Sequence, residues 1–282
     1  MSERTFDPAF VTAKAARMRA DIVEMIAEAG SGHPGGSLSA ADIVATLYFG
    51  ECMRHDPQQP QWPARDRFIL SKGHAAPVLY SALAEAGYFG RDQLMTLRKL
   101  GSMLQGHPDC KKTPGVEVST GSLGQGLSIS AGLAVGLRGG EVAEAALDDR
   151  TVWCLLGDGE IQEGQVWEAA MFAAHQGLGN LVAIIDHNGL QIDGACTEVM
   201  CLGSIAAKFT AFGWRAIEVD GHDIPALRGA LMAAKAHTGG PCVVVARTVK
   251  GKGVSFMEGK AGWHGKAPSA DQVATALAEL SA

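Results

Sequence analysis

Apolar positions recur at helical spacing over residues 11–29, and Gly30 closes the run. Short apolar stretches then follow at 67–71, 152–156, 181–186, 215–219 and 241–246, and each reads as a strand. Helix-forming segments lie between them, at 39–48, 76–86, 91–100, 127–137, 204–212 and 224–237. Another joins the second and third strands, and an amphipathic stretch at 271–280 ends the chain. Gly87 marks one helix end. The acidic segment 141–150 reads as a solvated helix and turn. Five short apolar strands alternating with helices predict an α/β fold, a parallel sheet with helices on both faces. No repeat, low-complexity tract or linker interrupts it, so residues 1–282 are expected to form a single domain.

The stretch 152–194 organises the rest. Its first strand ends in Gly157-Asp158-Gly159 and its second in Asn188. Two parallel strands joined by a crossover helix set their carboxyl ends side by side, at the rim where open α/β sheets bind ligands. A carboxylate, an amide oxygen and nearby carbonyls are hard donors suited to Mg²⁺ or Ca²⁺. Because Mg²⁺ keeps positions for water and phosphate oxygens, a cation holding a diphosphate is expected. The same residues also fit a plainer reading, with Asp158 capping a helix and Asn188 in an ordinary turn.

Composition narrows the class. With 282 residues and 47% hydrophobic content the chain can bury a substantial core, and a mean hydropathy of +0.08 suits a globular protein. The formal charge of −6, with basic residues scattered, gives no sign of nucleic-acid binding. No run approaches the ~18–20 apolar residues of a membrane span, and the start lacks a secretory pattern. The six cysteines form no C-x-x-C pair, and Cys154 and Cys242 fall inside apolar strands, so buried thiols in a reducing cytoplasm are expected.

Four loops carry a histidine: His33 in SGHPGG, His74 in LSKGHA, His107 in GHPD and His264 in WHGK. The first is predicted as a tight Gly/Pro turn that could hold the imidazole towards a cleft, although a lone His33 is more often a solvated turn residue. His74 follows a strand and either donates to a phosphate or caps the next helix. Gly121, Gly124 and Gly126 open a small-residue helix, at the wrong spacing for a dinucleotide loop. The run 248–255 likewise fails the spacing of a P-loop.

Taken in order, SGHPGG, LSKGHA, GHPD, TGSLGQG, GDG…N, VKGKGVSFME and WHGK resemble the transketolases, enzymes that use thiamine diphosphate. The resemblance runs from the first helix to the Trp263-His264-Gly265 loop. It implies a transferase of the pentose phosphate type, moving a two-carbon ketol unit from a ketose phosphate to an aldose phosphate. It implies Asp158, Asn188 and the Leu190 carbonyl as ligands of Mg²⁺ (or Ca²⁺ or Mn²⁺). Cofactor contacts would come from His74, Gly121, Ser122, Leu123, Gly157, Asp158, Gly159, Glu160, Asn188 and His264. The histidines His33, His107, His74 and His264 would serve catalysis, with His33 and His107 facing the substrate. Glu163 and Glu168 resemble buried acidic residues that couple two active sites across a subunit interface.

Full transketolases are about twice this length, and their ring-activating glutamate and phosphate-gripping arginines lie in the part not matched. The resemblance therefore implies the N-terminal, diphosphate-binding subunit of a split enzyme. Such a subunit would be inactive without a C-terminal partner carrying the pyrimidine-binding domain, and would sit in an α₂β₂-type assembly. Three alternatives stay open: a split transketolase for a sulfo- or branched sugar, the α subunit of a 2-oxo acid dehydrogenase, and a non-catalytic cofactor-binding module.

Overall fold

A computed structural model of the chain describes residues 6–139 and 149–281, so most of the acidic segment at 141–150 lies outside the described residues. Five strands form one parallel sheet: β1 (Arg67–Leu70), β2 (Val152–Gly157), β3 (Leu181–His187), β6 (Arg215–Asp220) and β7 (Cys242–Arg247). Their order is β1-β2-β3-β7-β6. Gly157, Asp186 and Ala246 share one rung of the ladder, which brings three strand ends level. A small antiparallel pair, β4 (Leu190–Gln191) and β5 (Gly194–Ala195), follows β3 and leads into a single helical turn, α7 (Cys196–Val199).

The unbroken apolar runs are explained by burial on both faces. Alternate residues point to opposite sides of a strand. Trp153, Leu155, Val182, Ile184 and Val244 join one core, with the inner faces of α1 (Pro8–Ala29), α3 (Ala41–Phe49), α4 (Ala76–Ala86) and α9 (Ile224–Lys235). Cys154, Leu156, Ala183, Ile185, Val243 and Val245 join the other, under α5 (Gln125–Gly139), α6 (Gly164–His175) and α8 (Ile205–Ala211). The last helix, α10 (Ala270–Ser281), packs on α1. Helix α1 starts where Asp7 accepts the Ala9 N–H and Pro8 fills the first turn, and it ends at Gly30 with φ 63°.

Two local expectations are corrected. The Gly/Pro loop after His33 is not a plain turn: Pro34–Ser39 forms a short helix, α2, because Pro34 sits at its first position and lacks the N–H a helix start leaves unpaired. The segment 91–100 is not an α-helix; Arg91–Thr96 is 3₁₀, and the Arg98 N–H bonds to the Leu104 carbonyl instead of continuing the helix. Only Leu94 and Leu97 are buried there, too narrow an apolar face to hold a longer α-helix.

All six cysteines are free, with Cys52, Cys154, Cys196 and Cys242 buried. Among the described residues no helix is long and apolar enough to cross a membrane.

Candidate active site

The carboxyl ends of β1, β2, β3 and β7 converge on one rim, and the site is built on a buried ion pair beneath it. Asp186, the last fully buried residue of β3, accepts from Ser39 Oγ at 2.6 Å, from the Lys72 ammonium, from Thr248 Oγ1 and from Asn188 Nδ2 at 3.3 Å. Lys72, beyond β1, also donates to the Gly36 carbonyl at 2.7 Å. Burial alone would raise the Asp186 carboxyl, but the Lys72 ammonium and the two hydroxyls outweigh it and hold the group below its ordinary range. Four loops are thereby tied to one anion.

Above this pair lie the expected metal donors. Asp158, 3% exposed, accepts from Gly159 N at 2.9 Å with one oxygen and from Gly189 N with the other. That second bond draws Asp158 to the Asn188–Leu190 turn. Asn188 Oδ1 accepts from Leu190 N at 3.2 Å, and the Leu190 carbonyl accepts from the Lys250 ammonium at 3.1 Å. Burial, with Lys72 nearby, lowers Lys250 below its ordinary range. His187 Nδ1 lies 3.3 Å from Asp158 Oδ2, close enough for that carboxylate to raise the imidazole, although the geometry falls short of a hydrogen bond.

Three of the expected histidines meet. The ring centroids of His33, His74 and His264 stand 5.1–5.5 Å apart, His74 and His264 stacked and His33 edge-on to both. His107 stands behind Gly121, where an added Cβ would lie 3.1 Å from the imidazole. Burial first, then neighbouring basic groups, lowers all four: Arg98, His107 and Lys250 act on His33, Lys250, His33 and Lys72 on His264, and Arg98 on His107, each histidine acting on the other only when protonated. His33 and His264 fall from 6.5 to about 4, and His74 lies well below its ordinary value. The cluster is therefore neutral near pH 7.

A pH dependence of stability follows. The unfolded chain binds protons at His33 and His264 as pH drops below 6.5, whereas the folded chain resists until about 4. Stability from these groups is complete above 6.5 and declines as pH falls towards 4. Urea unfolding at pH 7 and pH 5 should show the loss, and a His33→Gln, His264→Gln double variant should lose less over the same interval.

Glu160 stands at the turn after β2, beneath the rim. It is 3% exposed, and its carboxylate accepts from Ser71 Oγ, from Gly124 N at 3.0 Å and from Gly157 N at 2.9 Å. It clamps the Gly121–Gly126 loop to the β2 turn from below. Burial raises its carboxyl despite these donors. The clamp needs close approach: a Cβ on Gly126 would lie 2.7 Å from Ser71 Cα. Gly126→Ala is expected to cost about 1–3 kcal/mol by overpacking, and a thermal midpoint equal to the parent's would contradict this contact.

Ser122 accepts the Gln125 N–H through its carbonyl, and Leu123 stands 40% exposed at the rim. Glu163 and Glu168, likened to acidic residues buried across a subunit interface, are exposed in the single chain, one at the N-cap of α6 and one on its outer face. Lys72, Asp186, Lys250 and Arg98 were not singled out by sequence reasoning. Lys72 and Lys250 stand inside the LSKGHA and VKGKG strings, the one signal that was available.

The donor set fits a hard cation with a diphosphate. Among the described residues no three His, Cys, Asp or Glu side chains are grouped to hold a metal by themselves. One carboxylate, one amide oxygen and one carbonyl leave coordination for ligand oxygens, as Mg²⁺ prefers. His33 Nδ1, His264 Nδ1 and Gln191 Oε1 are buried without a hydrogen-bond partner, and buried polar atoms in that state call for a ligand or water.

Fold and site together define an α/β ligand-binding domain with its site at the carboxyl rim of a parallel sheet. The family described as transketolase, thiamine diphosphate binding domain, matches residues 11–281, and the chain belongs to it. It is 43% identical over 258 residues to a 6-deoxy-6-sulfo-D-fructose transketolase subunit of Clostridium sp. (strain MSTE9), covering 92% of this chain and 91% of that protein. It is 41% identical to one subunit of the apulose-4-phosphate transketolase of Actinobacillus succinogenes, covering 98% of this chain and 97% of that protein. Human transketolase is 46% identical over 251 residues, 89% of this chain but 38% of that protein. Transketolase from Leishmania mexicana superposes with a TM-score of 0.90 at 34% identity, over 96% of this chain and 41% of that one.

Proposed function

We propose that this chain is the diphosphate-holding subunit of a two-chain transketolase that moves a two-carbon ketol unit between sugar phosphates. The observation that carries the reading is the convergence of His33, His74 and His264 beside the Asp158–Asn188–Leu190 corner. Thiamine diphosphate, when bound, supplies the nucleophilic carbon that such an exchange requires. Asp158, Asn188 and the Leu190 carbonyl would hold Mg²⁺, while His74, His264, Lys250 and the Gly159 backbone would face the diphosphate. Gly121, Ser122 and Leu123 would line the cofactor, with Gly157 and Glu160 fixing the loops around it. Neutral His33 and His107 can accept a proton from a sugar hydroxyl and return it to a carbonyl oxygen. The family match sets aside the 2-oxo acid dehydrogenase reading.

The partner is supported by what this chain matches at full length: two proteins that are themselves called subunits. Its surface agrees, since Leu123, Val135, Met171 and Phe172 are exposed apolar residues on or beside α5 and α6, near exposed Glu163 and Glu168. A contact there with the partner or a second copy would bury them, as an α₂β₂-type assembly requires, in a reducing cytoplasm suited to six free thiols. A second reading concerns the sugar. The subunits matched at full length carry the names of a sulfo sugar and of apulose-4-phosphate, which favours an unusual ketose.

Two-carbon transfer should be assayed with the chain alone and with a candidate C-terminal subunit. Activity in the mixture only is expected; turnover by the chain alone would overturn the split reading. Turnover of a sulfo- or branched ketose, without turnover of ordinary ketose phosphates, would decide for the second reading. Tight cofactor binding without turnover of any ketose in the mixture would leave only the non-catalytic module.

A further inference from the structure

The edge strand β6 ends at Asp220, the turn Gly221-His222 follows it, and nothing in the diphosphate-holding role accounts for His222. Its side chain is 15% exposed, with Nδ1 2.6 Å from Asp42 Oδ2. Its Nε2 receives the backbone N–H of Val249 at 2.9 Å. An amide N–H only donates, so Nε2 is a bare acceptor and the single ring proton of the neutral imidazole stands on Nδ1, donating to Asp42. Asp42 is fixed in turn by both ends of the Arg19 guanidinium, at 3.0 and 2.6 Å. Both partners of that fork are nearly buried, at 9% and 8% side-chain exposure.

Val249 stands between two working residues. Thr248 before it bonds Asp186, and Lys250 after it reaches the Leu190 carbonyl at 3.1 Å. The turn is pinned on either side, by Gly221 N to the Arg247 carbonyl at 2.7 Å and by Gly251 N to the Gly35 carbonyl at 3.0 Å. The Val249 amide lies between those two pins, one residue before the Lys250 side chain that reaches the candidate cation corner.

We propose that Arg19, Asp42 and His222 form a positioning chain in which the neutral His222 imidazole clamps the Val249 amide and sets the reach of Lys250. None of the three touches the reacting atoms. The consequence for cofactor binding rests on the function proposed above; the clamp itself does not.

Two substitutions separate the roles of the ring. His222→Gln carries a carbonyl oxygen at about the reach of Nε2, whereas His222→Asn can pair with Asp42 but is too short for Val249. In the full chain, hydrogen exchange at the Val249, Lys250 and Gly251 amides should quicken about tenfold or more in His222→Asn and stay near the parent rate in His222→Gln. Affinity for thiamine diphosphate with Mg²⁺ should fall about 10–100-fold in the Asn variant, the range for an outer-shell partner, with rescue by Gln. Unchanged exchange at Val249 in the Asn variant would overturn the proposal. So would equal quickening in both variants, which marks a general loss of packing. Should the parent chain fail to bind the cofactor, the functional reading falls while the exchange comparison still decides the clamp. Should the Asn variant not fold, the Gln variant decides: parent-like exchange supports the clamp and parent-unlike exchange overturns it.

Discussion

Asp186→Ala is expected to destabilise the chain by about 3–5 kcal/mol, the cost of removing one partner from a buried ion pair. The carboxylate is fully buried, and Lys72, at 2% exposure, would keep its ammonium with the Gly36 carbonyl as its one remaining hydrogen-bond acceptor among the described residues. The hydroxyls of Ser39 and Thr248 and the Asn188 amide lose an acceptor in the same step. The cost belongs mainly to the stranded charge, not to the pair. Adding Lys72→Met to Asp186→Ala should therefore recover part of the loss, giving a coupling readable by a double-mutant cycle in urea. A single Asp186→Ala change costing under about 1 kcal/mol would show that Lys72 finds water, and that the pair is not the foundation of the rim.

Asp158→Ala should act on the ligand, with a smaller effect on the fold. On the proposed donor set it removes the single protein anion at the cation, and Mg²⁺-dependent affinity for thiamine diphosphate should fall more than the ~10–100-fold of an outer-shell change. The Gly189 amide loses its acceptor, for about 1–2 kcal/mol of stability. Asp158→Asn separates the two effects, since its amide oxygen can still receive Gly189 N–H while the charge is gone. Calorimetric titration with and without Mg²⁺ reads the difference. Mg²⁺-dependent binding at parent strength in either variant would remove Asp158 from the metal.

The sheet was legible because its signal is local. β2, β3 and β7 are buried on both faces, so they read as unbroken apolar runs, and the loops between them carry the expected Gly and Asp punctuation. The 91–100 segment misled because helical spacing was present without enough buried area to reward an α-helix. Asp158 and Asn188 could be placed from strand ends alone. The histidines could not be brought together by any local pattern, since three separate loops carry them. Asp186 was hidden at the end of an apolar run, where an Asp reads as an ordinary terminator, and its partners Lys72 and Ser39 lie 114 and 147 positions away. Lys250 failed the phosphate-loop spacing, yet its contact with Leu190 spans 60 residues, a distance at which spacing says nothing. His222 was visible only as a turn residue, because Asp42 lies 180 positions away.

Those separations have a kinetic consequence. Each bond that ties Ser39 to Asp186 or Asp42 to His222 closes a loop longer than half the chain, and parallel sheets built from such closures fold slowly. The corner lies within residues 158–190, but the histidines and Lys250 that face it come from positions 33 to 264, so a partly folded chain lacks most of the groups that would recognise the cofactor. Binding should thus select the finished structure alone and stabilise it by mass action. Refolding monitored by recovery of cofactor affinity should lag behind refolding monitored by helix content.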